Sequence, residues 1–497
     1  MCPSARAFRP PPPFAFLCPP RGWGMSRRDA TAAPAPSRPR RPTGGPALIV
    51  ARLASAVSPR PVLLVGCAIL CLACTVYYLW RIPIPIEVGY NEPWNAWHAL
   101  RWAHGLTLYP DPADLIIQNY PPLSFVLIGS LARLGADPVL VGRILSLLAV
   151  PVVAAAAFSV VRDLGGSRPA AALAALWWCT ALLAGFSTYV GMNDPSVLTV
   201  AIMAVGFALF VRADARGRTG SAGLAVMVVA GFFKHNVVTL PVTAVIWMAT
   251  TRGRRAVPPI VLAVLAAAGG LILCRVIWGP SFVDQMTMPR DMSWARAFAS
   301  LETPPWPAFA LALVGLIPAR RERPARLILI LMATAVPVFL LQRSGEGVSK
   351  NAQLELVFAA AVGLGWASDR LVDRAGGSRR AGRLIALAFA AIFAKEAWSF
   401  AAGPFPLPLS STFRADIAGR ETVLAAEIER VRAMPATTVC WQMMVCVRAG
   451  QPFLYDPFGV HSFQVTGRWS RERIDAAVAA RGLVFVDIDP RVAWPRR

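Results

Sequence analysis

The feature that most constrains this chain is a series of long apolar stretches that recur from residue 61 to residue 402. A helix needs about 20 apolar residues to cross a bilayer, and it must satisfy its backbone polar groups internally. Only 15% of the residues are charged, whereas a soluble domain has about 25%. The sequence therefore predicts an all-α polytopic membrane protein, with a mean hydropathy of +0.51.

The net charge of +23 indicates how the chain is oriented in the membrane. The basic residues fall mostly in the N-terminal segment 1–60 and in short loops between apolar stretches. Such loops stay on the cytoplasmic side of a membrane. We therefore expect anionic membrane lipids as the counterpart of this charge and no nucleic acid. The segment 1–60 is rich in proline and arginine, which predicts a disordered tail.

The apolar stretch 121–136 decides which loops lie outside. If it crossed the membrane, the later arginine-bearing loops would lie outside, against the charge rule. The stretch is short for a span and contains Arg133, so we predict an interfacial helix. Eleven spans are then expected in a transmembrane domain 61–402, near 61–80, 138–161, 169–187, 194–211, 219–234, 237–251, 256–278, 304–318, 327–342, 352–367 and 384–401.

This arrangement predicts a bacterial-type inner (plasma) membrane protein with a cytoplasmic N-terminus. The outward segments are 81–137, 188–193, 235–236, 279–303, 343–351 and the C-terminal region. Residues 403–497 are predicted to form a small extracytoplasmic α/β domain. Its helices are expected near 414–432 and 470–481, and its strands near 437–441 and 483–488. Cys440 and Cys446 could form a disulfide there, but their spacing leaves the pairing open.

Two outward segments carry acidic side chains next to predicted spans. Asn91 and Glu92 follow the first span in an aromatic-rich loop. Glu92 lies where a general base would be needed for an acceptor at the bilayer surface. The alternative is that Glu92 is a solvated loop residue or a helix cap. Asp194 follows Asn193 and precedes a proline, the pattern of a helix start. A helix cap needs only one polar side chain, whereas Asn193 and Asp194 supply two. The Asp194 carboxylate, the second one in these segments after Glu92, could therefore position an acceptor or a base.

Basic side chains at the outward ends of spans suit a phosphate group. Only three of the 50 basic residues are lysines, and Lys234 and Lys350 are two of them. An ammonium group near the bilayer edge can bind a phosphate, although a snorkelling side chain is an equal alternative. Arg343 and Lys350 flank a glycine-containing loop, where the backbone could approach a ligand closely. The spacing is not that of a Walker A loop.

Metal ligands are not evident in the sequence. His98 and His104 lack a third ligand at a convincing distance. We therefore predict no cofactor and no metal site, while a divalent metal is not excluded.

The order of the outward motifs resembles the GT-C superfamily of membrane glycosyltransferases. It is similar in particular to the protein O-mannosyltransferase and aminoarabinose-transferase group, over roughly residues 61–370. The motifs are G-Y-N-E ending at Glu92, the residues Ala99, Gly105, Leu108, Tyr109 and Pro110, then N-Y-P-P-L-S-F from Asn119, Y-V-G-M-N-D-P from Tyr189, F-x-K-H-N around Lys234 and G-V-x-x-N-A ending at Ala352.

The resemblance implies a fold and a reaction. The reaction is an inverting transfer of a sugar from a polyprenyl-phosphate donor to an extracytoplasmic acceptor, which could be a lipid, a glycan or a protein. Glu92 is implied as the base, with Asp194 as its partner. The donor phosphate would be held by Lys234, His235, Arg343 and Lys350, and the substrate would be contacted by Tyr120, Asn193, Asn236 and Asn351.

One departure from the family pattern concerns the catalytic group. Many members have aspartate where this chain has Asn91, so the protein could rely on Glu92 alone or lack activity. Two other functions therefore stay open. One is a transporter or lipid flippase, since ionisable residues in a helical bundle often mark a pathway. The other is a non-catalytic protein of envelope assembly.

Overall fold

The structure is a computed structural model that describes residues 59–376 and 378–495. The predicted disordered tail falls outside these residues, except for its last two positions, which begin the first helix. The helices up to residue 402 are α1 Pro59–Arg81, α2 Asn91–Ala103, α3 Leu123–Arg133, α4 Pro138–Asp163, α5 Arg168–Gly185, α6 Pro195–Ala215, α7 Ser221–Gly231, α8 Thr239–Arg252, α9 Val257–Trp278, α10 Pro280–Met286, α11 Trp294–Ala299, α12 Trp306–Leu316, α13 Arg323–Ser344, α14 Leu354–Ala375 and α15 Arg379–Ala402.

The prediction of an all-α polytopic membrane protein is confirmed. Within the described residues, six helical stretches are long and apolar enough to cross a membrane: Pro61–Arg81, Pro138–Asp163, Pro195–Ala215, Thr239–Trp278, Arg323–Ser344 and Arg380–Ala402. The number of eleven spans stays a prediction, because several of the other helices are too short for length and composition alone to assign them. Residues 219–251 form two short helices, α7 and α8, and not one long helix.

Helix α14 forms the centre of the bundle. Every residue from Leu354 to Ser368 is buried, as expected for a helix that is apolar all round. A Cβ at Gly365 would come within 2.6 Å of the Ala174 side chain in α5. The close approach of these helices therefore requires a residue without a side chain, which is typical of packing between membrane helices.

Helix α3 begins where the interfacial helix was predicted. It has 11 residues, fewer than a span requires. Its last residue, Arg133, donates hydrogen bonds from Nε and Nη2 to the carbonyls of Ala103 and Trp102 at the end of α2. At Gly129 a Cβ would lie 2.3 Å from the Ala99 carbonyl oxygen. Helices α2 and α3 are thus packed as one unit within the first outward segment.

The C-terminal region contains the predicted α/β elements. They are α16 Ser411–Arg432, β1 Thr438–Cys440, α17 Met443–Ala449, α18 Pro457–Val465, α19 Arg471–Ala480 and β2 Val484–Val486. The two strands pair in parallel, with Val439 opposite Phe485. Helices α17 and α18 were not predicted, because runs of 7 and 9 residues are too short to show a helical period. A disulfide joins Cys440 and Cys446.

The C-terminal region packs against the segment between α1 and α2. Trp494 N donates a hydrogen bond of 2.9 Å to the Glu87 carbonyl. Trp97 of α2 stacks on Phe453, with 4.5 Å between the ring centroids. The first and last parts of the described chain therefore build one surface, and the candidate site lies beneath it. The predicted boundary between two domains at residue 402 stays a prediction.

The predicted orientation can be tested at exposed loop positions. We expect Thr107→Cys and Ser349→Cys to react with a membrane-impermeant maleimide in intact cells, because both side chains are exposed in predicted outward loops. Thr219→Cys, in a predicted inner loop, should react only after permeabilisation. The parent chain serves as the control for its own cysteines. Labelling of positions 107 and 349 from opposite sides would contradict the orientation.

Candidate functional site

Glu92 lies in the first turn of α2 and forms a buried ion pair with Arg143 of α4. The Arg143 guanidinium donates to both carboxylate oxygens, at 2.7 Å from Nε to Oε1 and 2.6 Å from Nη2 to Oε2. The two side chains are 0% and 2% exposed, for Glu92 and Arg143 respectively. The backbone N–H groups of Val88 and Asn193 donate to the same carboxylate at 3.1 and 3.3 Å. Four donors therefore surround this carboxylate.

The same arginine holds the segment between α1 and α2. Arg143 donates to the carbonyls of Ile82, Ile84 and Ile86, at 3.0 Å for Ile82 and 2.8 Å for Ile86. This segment contains alternate prolines, and proline has no N–H group for regular backbone pairing. The guanidinium, which has five N–H donors, binds the carbonyls of the segment instead. From this geometry we infer that Glu92 positions the segment, while its predicted role as a base stays a prediction.

Asp194 forms a second buried cluster with Asn91 and Lys234. Its Oδ1 accepts from Ser196 N at 2.7 Å and caps α6, which begins with Pro195. Its Oδ2 accepts from Asn91 Nδ2 at 3.0 Å. Lys234 Nζ lies 3.4 Å from Oδ1 and donates to Ser196 Oγ at 2.8 Å. Asp194 can therefore cap α6 and belong to this cluster at the same time, because one carboxylate has several lone pairs.

Tyr120 completes the surroundings of the Lys234 ammonium group. Lys234 Nζ lies 3.2 Å from the Tyr120 hydroxyl oxygen and 4.3 Å from the ring centroid. The Tyr120 ring is in turn held edge-on by Trp94, at 5.2 Å between centroids. The Lys234 side chain is only 3% exposed. The ammonium group is therefore desolvated and stabilised by one carboxylate, two hydroxyls and an aromatic face.

A first cavity of about 420 Å³ opens beside this cluster. Lys234 and Arg290 bring two positive charges to its lining, and no carboxylate is among the described residues that line it. Its other walls are polar or apolar side chains, among them Tyr90, Asn91, Asn119, Tyr120, His235, Asn236, Met292, Leu341, Gln342, Val348, Asn351 and Phe458. A cavity with this charge favours an anion with an apolar continuation.

His235 lines the first cavity as a neutral side chain. Desolvation by the surrounding atoms, with the nearby Arg290 and Lys234 charges, lowers its pKa to about 4, although the residue keeps an exposed surface. At neutral pH the imidazole can donate one N–H to a ligand but brings no positive charge.

A second cavity of about 940 Å³ meets the first at Tyr90 and Asn91, which line both. It lies under the C-terminal region. Its lining includes Tyr77, Arg81, Glu87, Ser187, Thr188, Tyr189, Ser349, Lys350, Pro404, Trp441, Gln442 and Trp494. The Asn91 side chain, bonded to Asp194, thus stands at the junction of the two cavities.

The structure brings together most of the predicted site residues but separates the predicted phosphate ligands. Asn91, Tyr120, Lys234, His235, Asn236 and Asn351 line the first cavity, and Asp194 lies directly behind it. Lys350 lines the second cavity instead. Its Nζ donates to the Gly185 carbonyl at 3.3 Å.

Besides Asp194, three predicted residues line neither cavity: Glu92, Asn193 and Arg343. Asn193 Nδ2 donates to the Glu92 carbonyl at 3.3 Å, and its own carbonyl accepts from Asn95. The Arg343 guanidinium donates to the Val348 carbonyl within its own loop. The Glu92 carboxylate and the Asn193 amide nitrogen are thus bound by protein groups, whereas Arg343 Nε is buried without a partner.

Asp456 lies behind the wall of the first cavity and is not among the site residues predicted above. It is buried and accepts hydrogen bonds from the Tyr90 hydroxyl at 2.9 Å and from Trp94 Nε1 at 3.2 Å. Burial raises its pKa to about 6. Asp456 precedes Pro457 and caps α18, as Asp194 caps α6. A second Asp-Pro pair was therefore the available signal, but its contact with Tyr90 spans 366 residues.

Metal ligands do not cluster in the part of the chain that the structure describes: no group of three or more His, Cys, Asp and Glu side chains could hold an ion there. The predicted absence of a metal stays a prediction.

Comparison with protein families supports the resemblance inferred from the motifs. Residues 119–278 match the model of a family described as dolichyl-phosphate-mannose-protein mannosyltransferase. The matched segment contains Tyr120, Asp194 and Lys234. The resemblance to GT-C membrane glycosyltransferases is thus confirmed. A search of curated protein sequences gives no match.

The solved structures that are similar to this one include two of ArnT and one of AglB. ArnT from Cupriavidus metallidurans in the apo state is 19% identical, with a TM-score of 0.47 over 84% of this chain and 77% of that chain. The same protein bound to undecaprenyl phosphate is 18% identical, with a TM-score of 0.46 over 81% and 78%. The archaeal oligosaccharyltransferase AglB from Archaeoglobus fulgidus, in complex with an inhibitory peptide and a dolichol-phosphate, is 12% identical, with a TM-score of 0.45 over 86% and 69%. Likeness at this level assigns no function to the chain.

The positioning role of Glu92 predicts a specific pattern of stability. Arg143→Met leaves a buried carboxylate without its partner, so we expect a loss of about 3–5 kcal/mol in the free energy of unfolding. The double variant Glu92→Gln with Arg143→Met should be more stable than Arg143→Met alone, because no isolated charge remains. Thermal unfolding of the purified protein in detergent measures both.

Arg448→Met is the matched control for that comparison. The Arg448–Asp137 pair has side chains that are 27% and 32% exposed, so its loss should cost less than about 1 kcal/mol. If Glu92→Gln kept the stability of the parent and the double variant were no better than Arg143→Met, the positioning role would be refuted.

Proposed function

We propose that this chain is a membrane glycosyltransferase that transfers a sugar from a polyprenyl-phosphate-linked donor to an extracytoplasmic acceptor, with inversion. The observation that carries the proposal is the buried Asp194–Lys234 pair, 3.4 Å apart, whose lysine lines the first cavity together with Arg290. Both residues lie within the segment that matches the mannosyltransferase family. The described fold supplies the two cavities that a donor and an acceptor need.

The first cavity supports the binding of the donor. Lys234 and Arg290 line it and are suited to the negative charge of a phosphate. The neutral His235 imidazole can add one N–H. Met292, Leu341 and Val348 provide an apolar wall next to these groups, where the first isoprene units of a polyprenyl chain would lie. The description of the matched family names a dolichyl-phosphate-linked sugar as its donor.

Asp194 is the carboxylate that fits the role of the base. Asn91 carries a carboxamide, which cannot take up the acceptor proton at neutral pH, and Glu92 is enclosed by Arg143 and two backbone N–H groups. Asp194 lies behind Asn91 at the junction of the two cavities. The proposal therefore assigns Asp194 as the base, Asn91 as the group that positions the acceptor, and Glu92 as the residue that holds Asn91 in place.

The reaction follows from these positions. The acceptor hydroxyl transfers its proton to Asp194 as its oxygen bonds to the anomeric carbon of the sugar. The bond between that carbon and the phosphate oxygen breaks, and the electron pair leaves with the polyprenyl phosphate. Lys234 stabilises the negative charge that develops on this leaving group. Attack from the side opposite the phosphate inverts the anomeric configuration.

Donor binding would also release the base. In the described structure the Lys234 ammonium group pairs with Asp194. A donor phosphate that takes Lys234 as its partner removes this competing charge from the carboxylate. The carboxylate then has one partner fewer, so it is available to the acceptor hydroxyl when the donor is in place.

The test is sugar transfer by the purified protein in liposomes. Labelled polyprenyl-phosphate sugars and a bacterial envelope fraction would be supplied, and label in the acceptor fraction would be counted. We expect Asp194→Asn to lower the rate by about 10²–10⁴-fold, the usual contribution of a general base. Lys234→Met should also abolish detectable transfer, while Asn91→Asp should retain it.

Asp214→Asn is the matched control. Asp214 is another buried aspartate of α6, ion-paired with Arg252 and Arg323 at the opposite end of the helix. Its replacement should leave transfer per folded molecule near the parent value. Full activity of Asp194→Asn would refute the assignment of the base. Movement of the labelled donor across the membrane with no glycosylated product would favour a flippase.

A further inference from the structure

The second cavity has a composition that differs from that of the first. Aromatic rings and hydrogen-bonding side chains both line its walls, and its charged side chains are of both signs, Arg81 and Lys350 against Glu87. From this composition we propose that the cavity binds the acceptor through a sugar ring, so that the acceptor is a glycan or the headgroup of a glycolipid. The inference rests on the proposed function and adds the class of acceptor.

The Trp441 ring offers a flat surface in this cavity. The side chain is 50% exposed, while one face is packed against Phe485, with 5.3 Å between centroids and an interplanar angle of 27°. Tyr455 contacts it edge-on at 6.4 Å. The negative face of an indole attracts the positive edges of C–H bonds, and a pyranose or furanose ring presents several such bonds on one side. A rigid, half-exposed tryptophan therefore suits a sugar ring.

Gln442 supplies an unsatisfied acceptor beside this surface. Its Oε1 is buried and has no hydrogen-bond partner in the described residues. Burying a polar atom without a partner costs about 1–3 kcal/mol, so a ligand hydroxyl at this point would be stabilising. A carboxamide both accepts and donates, which matches the neighbouring hydroxyls of a sugar. Arg81 Nε, in the same cavity lining, is also buried without a partner.

The disulfide holds these two side chains in place. Trp441 and Gln442 directly follow Cys440, which ends β1, and they lie inside the loop closed by the Cys440–Cys446 bond. The backbone is thus fixed on one side by the parallel sheet and on the other by the covalent bond. Such preorganisation reduces the ordering cost of binding.

The position at which the two cavities meet supports the binding of an acceptor in the second cavity. Tyr90 and Asn91 line both cavities, and Asn91 is bonded to Asp194. A hydroxyl of a sugar bound under Trp441 can reach this junction from the second cavity, while the donor occupies the first. An acceptor and a donor that meet from opposite sides are what an inverting transfer requires.

A photo-crosslinker in the second cavity tests the proposal without depending on transfer. Thr188 is exposed and lines this cavity, so benzoylphenylalanine at position 188 in the full chain would be irradiated in bacterial cells. We expect an adduct that resists protease and is lost after periodate treatment. Solvent extraction of the released material then separates a glycolipid from a glycan. Benzoylphenylalanine at Leu134, which is 83% exposed and remote from the cavity lining, is the control position.

Two further variants link the adduct to the proposed residues. In the position-188 background, Trp441→Ala and Gln442→Leu should each lower the yield of the carbohydrate adduct at least fivefold, while Lys234→Met should not. Thermal unfolding checks that each variant is folded, and Gln442→Leu keeps the size of the side chain. An adduct to a peptide, a yield no higher than at position 134, or an unchanged yield in both variants would overturn the proposal.

The crosslinking result also separates this inference from the proposed function. A carbohydrate adduct with no sugar transfer from any polyprenyl-phosphate donor would refute the proposed transfer and support sugar binding. Transfer to a serine or threonine hydroxyl, recognised by release of the label in alkali, would support the transferase and refute the sugar acceptor.

Discussion

The buried pair between Glu92 and Arg143 is the interaction on which the candidate site depends. One guanidinium joins the first turn of α2 to α4 and to the carbonyls of the segment that follows α1. The same carboxylate accepts from Asn193 N, and this contact brings the start of α6 against α2. Asn91 and Asp194, the neighbours of these two residues in sequence, therefore come within hydrogen-bond distance. A charge pair buried at this depth is costly unless every donor and acceptor is satisfied, and here the backbone supplies the remaining partners.

The sequence predicted those site residues whose positions are also set by local structure, such as the end of a helix. Asp194 and Lys234 stand next to helix ends, and both were predicted from spacing and from the outward position of the loops. The resemblance pointed to Glu92 as the base, but the sequence could not show how Glu92 and Asn91 differ in their surroundings. Adjacent residues at a helix start face different directions, and the contact of Glu92 with Arg143, 51 residues away, distinguishes them. The positions of Asp456 and Trp441 could not be predicted for a related reason. Asp456 contacts Tyr90 and Trp94, which lie 366 and 362 residues away, and Trp441 lines the same cavity as Tyr90 only because the chain folds back on itself. No periodic pattern in a sequence indicates such distant contacts.

The separation of the predicted cations into two cavities changes how the site is understood. Lys234 lines a cavity with an apolar wall, whereas Lys350 lines the larger cavity beneath Trp441 and Trp494. This separation supports the proposal of one site for a phosphate and another for an acceptor. It fits less well with a single phosphate site that has four basic ligands. Asn91 lies at the junction, where many members of the family that the chain resembles have an acidic residue. In the proposed reaction Asp194, which accepts a hydrogen bond from Asn91, supplies the carboxylate instead.

The central claim is that Lys234 receives the phosphate of a polyprenyl donor beside Asp194. An experimental structure of the protein in a lipid nanodisc with a polyprenyl monophosphate tests it most directly. The account predicts phosphate density within hydrogen-bond distance of Lys234 Nζ, in the cavity lined by Arg290, with the Asp194–Lys234 distance longer than the 3.4 Å of the ligand-free pair. Phosphate bound at Lys350 in the second cavity, with the Asp194–Lys234 pair intact, would contradict it.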